Sequence, residues 1–219
     1  MEKGYFITGT DTNAGKTWAT IALMRYFKQQ GKSVAGMKPV ASGCFMQDGR
    51  LKNEDALLIQ ENAPLQIDYD LINPYAYQLP VSPHIAGINN PVNMANIVER
   101  FNVLKAVAEI VLVEGAGGWY APLNDREDIS DLAKALALPV IIVVAIRLGC
   151  INHAKLTYQA IQHSGIQCAG WIAICVDPDM LKPDENIRTI KAALNVPLLG
   201  VLPYLTAADF DLLAGKLAL

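Results

Sequence analysis

The run Gly9–Thr17, GTDTNAGKT, holds the residue types that a bound phosphate needs. Glycine at either end lets the chain turn so that consecutive backbone N–H groups converge on phosphate oxygens. A helix opening at Lys16 adds the positive end of its dipole, Lys16 can reach the outer phosphates, and the Thr17 hydroxyl can ligate magnesium. Five residues separate Gly9 from Gly15, one more than in the common phosphate loop. The plain structural alternative is a glycine-containing strand-to-helix turn with a lysine on the surface.

A phosphate cradle needs metal ligands and a reacting partner before it does chemistry. Glu114 closes the apolar run Ile110–Val113 and precedes Gly115, Gly117 and Gly118. At the carboxyl end of a parallel strand it would hold magnesium directly or through water, while the glycines let backbone approach phosphate; otherwise it is a solvated glutamate in a turn. Asp55 opens a helical run after Lys52–Glu54 and is equally a further magnesium ligand or an acid stabilised by a helix N-terminus. Lys38, just before Pro39, either gives the site a second ammonium or stands in solvent. His84, His153 and His163 lack metal-ligand spacing; His84 lines a pocket or packs within a loop. The four cysteines, Cys44, Cys150, Cys168 and Cys175, form no CxxC pair, which indicates neither a zinc site nor a redox motif; Cys150 draws notice by position alone.

Positioning these groups together requires a sheet whose strands end at one edge. Short apolar runs alternate with helical ones, the pattern of a parallel sheet covered by helices on both faces. The strands expected are Tyr5–Thr8, Ser33–Lys38, Ile110–Glu114, Val140–Ala145, Ala169–Val176 and Leu198–Val201, most of them apolar throughout, as strands buried on both faces are. Helices are expected over Lys16–Gln30, Asn93–Ala108, Ser130–Leu136, Asn152–Ser164 and Asn186–Leu194. Asp68–Pro91, rich in proline, reads as a long irregular segment. The fold class is thus α/β of the phosphate-loop NTPase type, with residues 1–219 as one domain.

Bulk properties narrow the partners. With 52% hydrophobic and 18% charged residues and a net charge of −3, the chain offers no basic field to nucleic acid. Met1–Tyr5 leads directly into an apolar strand, so no secretory signal is read there. The longest apolar stretch, Leu138–Ile146, contains a proline and falls far short of the ~20 residues that span a bilayer. A soluble, cytoplasmic protein with no membrane partner is expected.

GTDTNAGKT is joined, in order, by GMKPVASG (36–43), NEDALLIQ (53–60), NPYAYQLPVSPH (73–84), VLVEGAGGWYAPL (111–123) and LGCINHAKLT (148–157). Taken together these runs resemble the dethiobiotin synthetases over nearly the whole chain. The resemblance implies an ATP- and magnesium-dependent ligase that closes the ureido ring of dethiobiotin from 7,8-diaminononanoate, CO2 and ATP, releasing ADP and phosphate. It further implies that Thr12, Asn13, Ala14, Gly15, Lys16, Thr17, Asp55, Glu114, Gly115, Gly117, Pro203, Tyr204 and Leu205 bind the nucleotide, and that Thr17, Asp55 and Glu114 hold the metal. Lys38 and Lys16 would be catalytic, and Ser42, Gly149, Cys150, Ile151 and Asn152 would bind the substrate. The 149–152 seat would come from a neighbouring subunit of a homodimer, with Cys150 acting through its backbone. The pattern is broken at one place: relatives use an asparagine after Gly-Trp to read adenine, and Ile174 and Cys175 stand there instead. The rival reading is a nucleotide switch of the partitioning or septum-positioning kind; those proteins carry a second lysine where this loop has Asp11.

Overall fold

The computed structural model describes residues 4–219, so the Met1–Lys3 part of the leader reading lies outside the described residues. The chain opens with β1 (Gly4–Gly9), α1 (Lys16–Gln29) and β2 (Val34–Met37). Short elements come next: β3 (Val40–Ser42), β4 (Phe45–Gln47), β5 (Arg50–Lys52), α2 (Glu54–Asn62), α3 (Tyr69–Ile72), β6 (Tyr75–Tyr77) and α4 (Pro83–Ala86). The rest of the chain forms α5 (Met94–Val107), β7 (Ile110–Gly118), α6 (Ile129–Leu136), β8 (Val140–Ile146), α7 (Cys150–His163), β9 (Cys168–Cys175), α8 (Pro183–Ala193), β10 (Leu198–Leu202) and α9 (Phe210–Ala214).

Six parallel strands form one sheet in the order β10-β9-β8-β1-β7-β2, flanked by helices. All six strands expected from apolar runs are there. Every residue of β8 is buried, as an unbroken VIIVVAI run between two layers of helices must be. At Gly36 of β2 an added Cβ would run into Ile59 of α2 and crowd Met24 of α1, so two helices close over that strand only because it lacks a side chain there.

Register carries several of the candidate residues to one place. Ile7 of β1 pairs with Glu114 of β7 and Gly9 with Gly118, and Met37 of β2 pairs with Val113. Glu114 is thereby set between the start of the phosphate loop and Lys38, the residue after Met37, at the carboxyl edge where ligands collect in such sheets.

Three expectations about elements change. β7 runs on to Gly118 rather than ending at Glu114, because after a shift in register Gly118 pairs with Gly9 of β1. Asp68–Pro91 is not structureless: it holds α3, β6 and α4, with β6 pairing in parallel with β3. α7 and α8 start earlier than expected, at Cys150 after the left-handed Gly149 (φ 93°) and at Pro183, a residue suited to the first helical turn. The β4–β5 hairpin turns on Asp48-Gly49, both at positive φ, a pair of residues that favours such a turn.

Candidate active site

The loop between β1 and α1 is shaped by backbone before any ligand is considered. Gly15 takes a left-handed conformation (φ 84°, ψ 21°) at the start of α1, and Asn13 is also at positive φ. A Cβ at Gly15 would stand 2.7 Å from Ile174 Cδ1, so the end of β9 lies directly against this turn. Lys16 is 6% exposed and donates from Nζ to the Asp11 carbonyl at 2.9 Å.

Beside the loop three charged groups and a hydroxyl meet. Thr17 Oγ1 donates to Glu114 Oε1 at 3.0 Å, and Lys38 Nζ donates to the same oxygen and to Asp55 Oδ2, the latter at 3.2 Å. Glu114 is fully buried and its Oε2 has no hydrogen-bond partner. A buried carboxylate oxygen left unpaired is costly, which marks it as an acceptor awaiting a cation or donor.

These residues floor a cavity of ≈ 610 Å³. Of the residues singled out in the sequence, Thr12, Asn13, Gly15, Lys16, Thr17, Lys38, Ser42, Asp55, Glu114 and Gly117 line it together. Ser42 Oγ is buried there without a partner. Ala14 and Gly115 do not line the cavity: Ala14 is buried, and a Cβ at Gly115 would press on Phe6 and Ile129 in the core. Pro203, Tyr204 and Leu205 come after β10 at the sheet's far edge and stand outside this cavity, with Tyr204 exposed. Gly149, Ile151 and Asn152 instead border a second depression of ≈ 540 Å³ with Lys155 and Gln159. Cys150 is buried behind it, and its N–H already donates to the Arg147 carbonyl at 3.0 Å.

A known protein family, the AAA domain, matches residues 3–210. The chain is 44% identical over 219 residues to the ATP-dependent dethiobiotin synthetase BioD of Aromatoleum aromaticum, covering 99% of this chain and 97% of that one. It is 46% identical over 207 residues to the enzyme of the same name from Xanthomonas axonopodis pv. citri, covering 94% and 92%. The chain belongs to the dethiobiotin synthetase family. Among solved structures, MinD cell division protein from Aquifex aeolicus superposes with a TM-score of 0.58 at 16% identity, covering 93% of this chain and 83% of that one. FtsY from Elizabethkingia anophelis with GDP gives 0.56 at 14% identity, covering 92% and 57%. At such identities these two share the fold alone.

Electrostatics set how each group in this member of the family is charged. Burial, then Lys38, push the Lys16 ammonium down to about 8, against opposing pulls from Glu114, Asp55 and Asp11. Burial would also lower Lys38, but Glu114 and Asp55 outweigh it and hold Lys38 above the usual lysine value. Burial would raise Asp55, yet Lys38 and the Thr17 hydroxyl outweigh that and keep it below the usual carboxylate range. At neutral pH the site therefore holds Lys38 as a cation and Asp55 as an anion.

Residues with no motif to mark them do much of the positioning. Asn73, 3% exposed, donates from Nδ2 to the Lys38 carbonyl at 2.7 Å, while Lys38 N–H donates to Ile72 O at 2.9 Å. Asn53 caps α2 by accepting from Ala56 N–H at 3.2 Å, placing Asp55 in the first turn, and its own N–H donates to the Tyr69 hydroxyl at 2.8 Å. Asn before a helical run is a readable N-cap signal. Nothing local in the sequence ties Asn73 to Lys38, 35 residues away.

Proposed function

We propose that this chain is an ATP-dependent dethiobiotin synthetase: with 7,8-diaminononanoate, CO2 and ATP it forms dethiobiotin, ADP and phosphate. The observation that carries this beyond nucleotide binding is Lys38, a second buried ammonium on the floor of the same cavity as Lys16. A hydrolase of the same fold directs its cations at the phosphates; a ligase that activates a carboxylate must neutralise that carboxylate as well.

One amine of the substrate adds CO2, losing a proton, and becomes a carbamate. A carbamate oxygen attacks the terminal phosphorus of ATP, the bond to ADP breaks, and a carbamic–phosphoric anhydride results. The second amine attacks its carbon, phosphate leaves, and the ring closes. Negative charge gathers on the carbamate and the transferring phosphoryl group, where fixed cations in a sheltered site act most strongly. Lys16 and the loop N–H groups would hold the outer phosphates and Lys38 would face the carbamate. Ser42, with its free buried hydroxyl, would bind the substrate.

Thr17, Asp55 and Glu114 would hold magnesium, and the fit is good: two carboxylates and a hydroxyl are hard oxygen donors, and Glu114 Oε2 lacks any other partner. Magnesium keeps several waters and takes ligands from substrate phosphates, so three protein oxygens are enough to seat it. When bound, magnesium supplies positive charge to the phosphate oxygens.

The seat at 149–152 borders a different depression from the Lys38 cavity, which supports its serving the site of a second copy in a homodimer. We also read residues 1–219 as one ligase domain working in the cytoplasm; among the described residues no helix is long and apolar enough to cross a membrane. The decisive experiment incubates purified protein with magnesium, ATP, bicarbonate and the diamine and measures dethiobiotin. ATP turnover indifferent to the diamine would sink the proposal. Comparing ATP, GTP and CTP settles the base that Ile174 and Cys175 accompany.

A further inference from the structure

Asp11 places a carboxylate inside a loop that has to accept a polyanion, where an unpaired negative charge opposes binding. All three of its oxygens are engaged. The carbonyl accepts from Lys16 Nζ, Oδ1 accepts from the Thr12 N–H at 2.7 Å, and Oδ2 accepts from the Arg147 guanidinium at 2.7 Å. Arg147 directly follows β8, the neighbour of β1, and Thr10 N–H donates to Val143 O at 3.0 Å, so the end of β1 is fixed against the middle of β8.

The pair is 39% and 50% exposed at its two side chains. An ion pair so hydrated adds little to folding stability, so its consequence lies in local charge. The Asp11–Thr12 hydrogen bond fixes the backbone of a residue that lines the phosphate cavity. An acceptor is useful at position 11, but its charge is not. We propose that Arg147 is a charge-compensating positioning residue of the nucleotide site, cancelling Asp11 so that the loop keeps its shaping hydrogen bond without repelling the triphosphate. This rests on the reading of Gly9–Thr17 as the phosphate loop and deepens it by adding a residue 130 positions beyond Thr17.

The test is equilibrium binding of a non-hydrolysable ATP analogue with magnesium at low ionic strength, using the full chain. Arg147→Ala weakens binding about five- to tenfold, the effect of one unit charge several ångströms from the phosphates in a partly screened site. Asp11→Asn keeps the acceptor for Thr12 and leaves Arg147 unopposed, so it binds about five- to tenfold tighter than the unaltered protein, and the Asp11→Asn, Arg147→Ala double variant returns to about the unaltered affinity. Arg147→Lys restores most of the affinity, and the Arg147→Ala penalty shrinks at high salt. In turnover Arg147→Ala raises the KM for ATP and leaves kcat unchanged. A double variant as weak as Arg147→Ala alone, or no weakening by Arg147→Ala, overturns the proposal. Absence of binding by the unaltered protein would instead overturn the phosphate-loop reading beneath it.

Discussion

Replacing Lys38 by methionine keeps the side chain's bulk and removes its charge, and the buried carboxylate beside it determines the outcome. Lys38 is 7% exposed at its side chain and Glu114 0%, so the substitution strands a buried carboxylate whose other oxygen is already unpartnered. Breaking a buried pair in this way costs about 3–5 kcal/mol, which lowers the melting temperature of a chain this size by roughly 6–20 °C. Magnesium returns positive charge to Glu114 and Asp55, so Mg·ATP should stabilise Lys38→Met more than the unaltered protein. The catalytic loss is separate. ATP affinity stays within a few-fold, because Lys16 and the loop are intact, whereas kcat for dethiobiotin falls on the order of 10³-fold, as when one fixed group stabilising transition-state charge is removed. The assays are a melting curve with and without Mg·ATP, equilibrium binding of ATP, and quantified dethiobiotin formation at saturating substrates. A raised KM with unchanged kcat would refute the role given to Lys38, and equal stabilisation of both proteins by Mg·ATP would refute the charge argument.

Lys16, pushed down to about 8, is charged below that pH and loses its proton as pH rises through it. Phosphate binding needs the charged form, so kcat/KM for ATP should fall tenfold per pH unit above about 8; a flat profile to about pH 9.5 would count against it. Glu114→Gln should weaken binding of Mn2+, used as a spectroscopic stand-in for magnesium, by at least about tenfold, and unchanged Mn2+ affinity would remove Glu114 from the metal site. Gly15→Ala forces a left-handed alanine against Ile174 and should abolish ATP binding at a cost of about 1–3 kcal/mol in stability. Adding Ile174→Ala should recover part of that stability, and none would mean that Ile174 does not crowd the turn.

Periodicity and motif spacing were enough to name the six sheet strands and five of the helices, because strands buried on both faces are continuously apolar and several helical runs end near glycine or proline. They also singled out Lys16, Thr17 and Glu114, in a loop or at a strand end, and the three line one cavity. Lys38 and Asp55 stood open on spacing alone, since a strand-end lysine and a helix-start acid look the same in solvent as in a site. Only register brings Lys38 beside the loop: the pairing of Met37 with Val113 and of Ile7 with Glu114 puts Lys38, Glu114 and Thr17 within hydrogen-bond reach, and a long-range pairing leaves no mark in local sequence. For the same reason Asn73 and Arg147, which hold Lys38 and Asp11 from 35 and 136 residues away, became visible only once the strands were laid side by side.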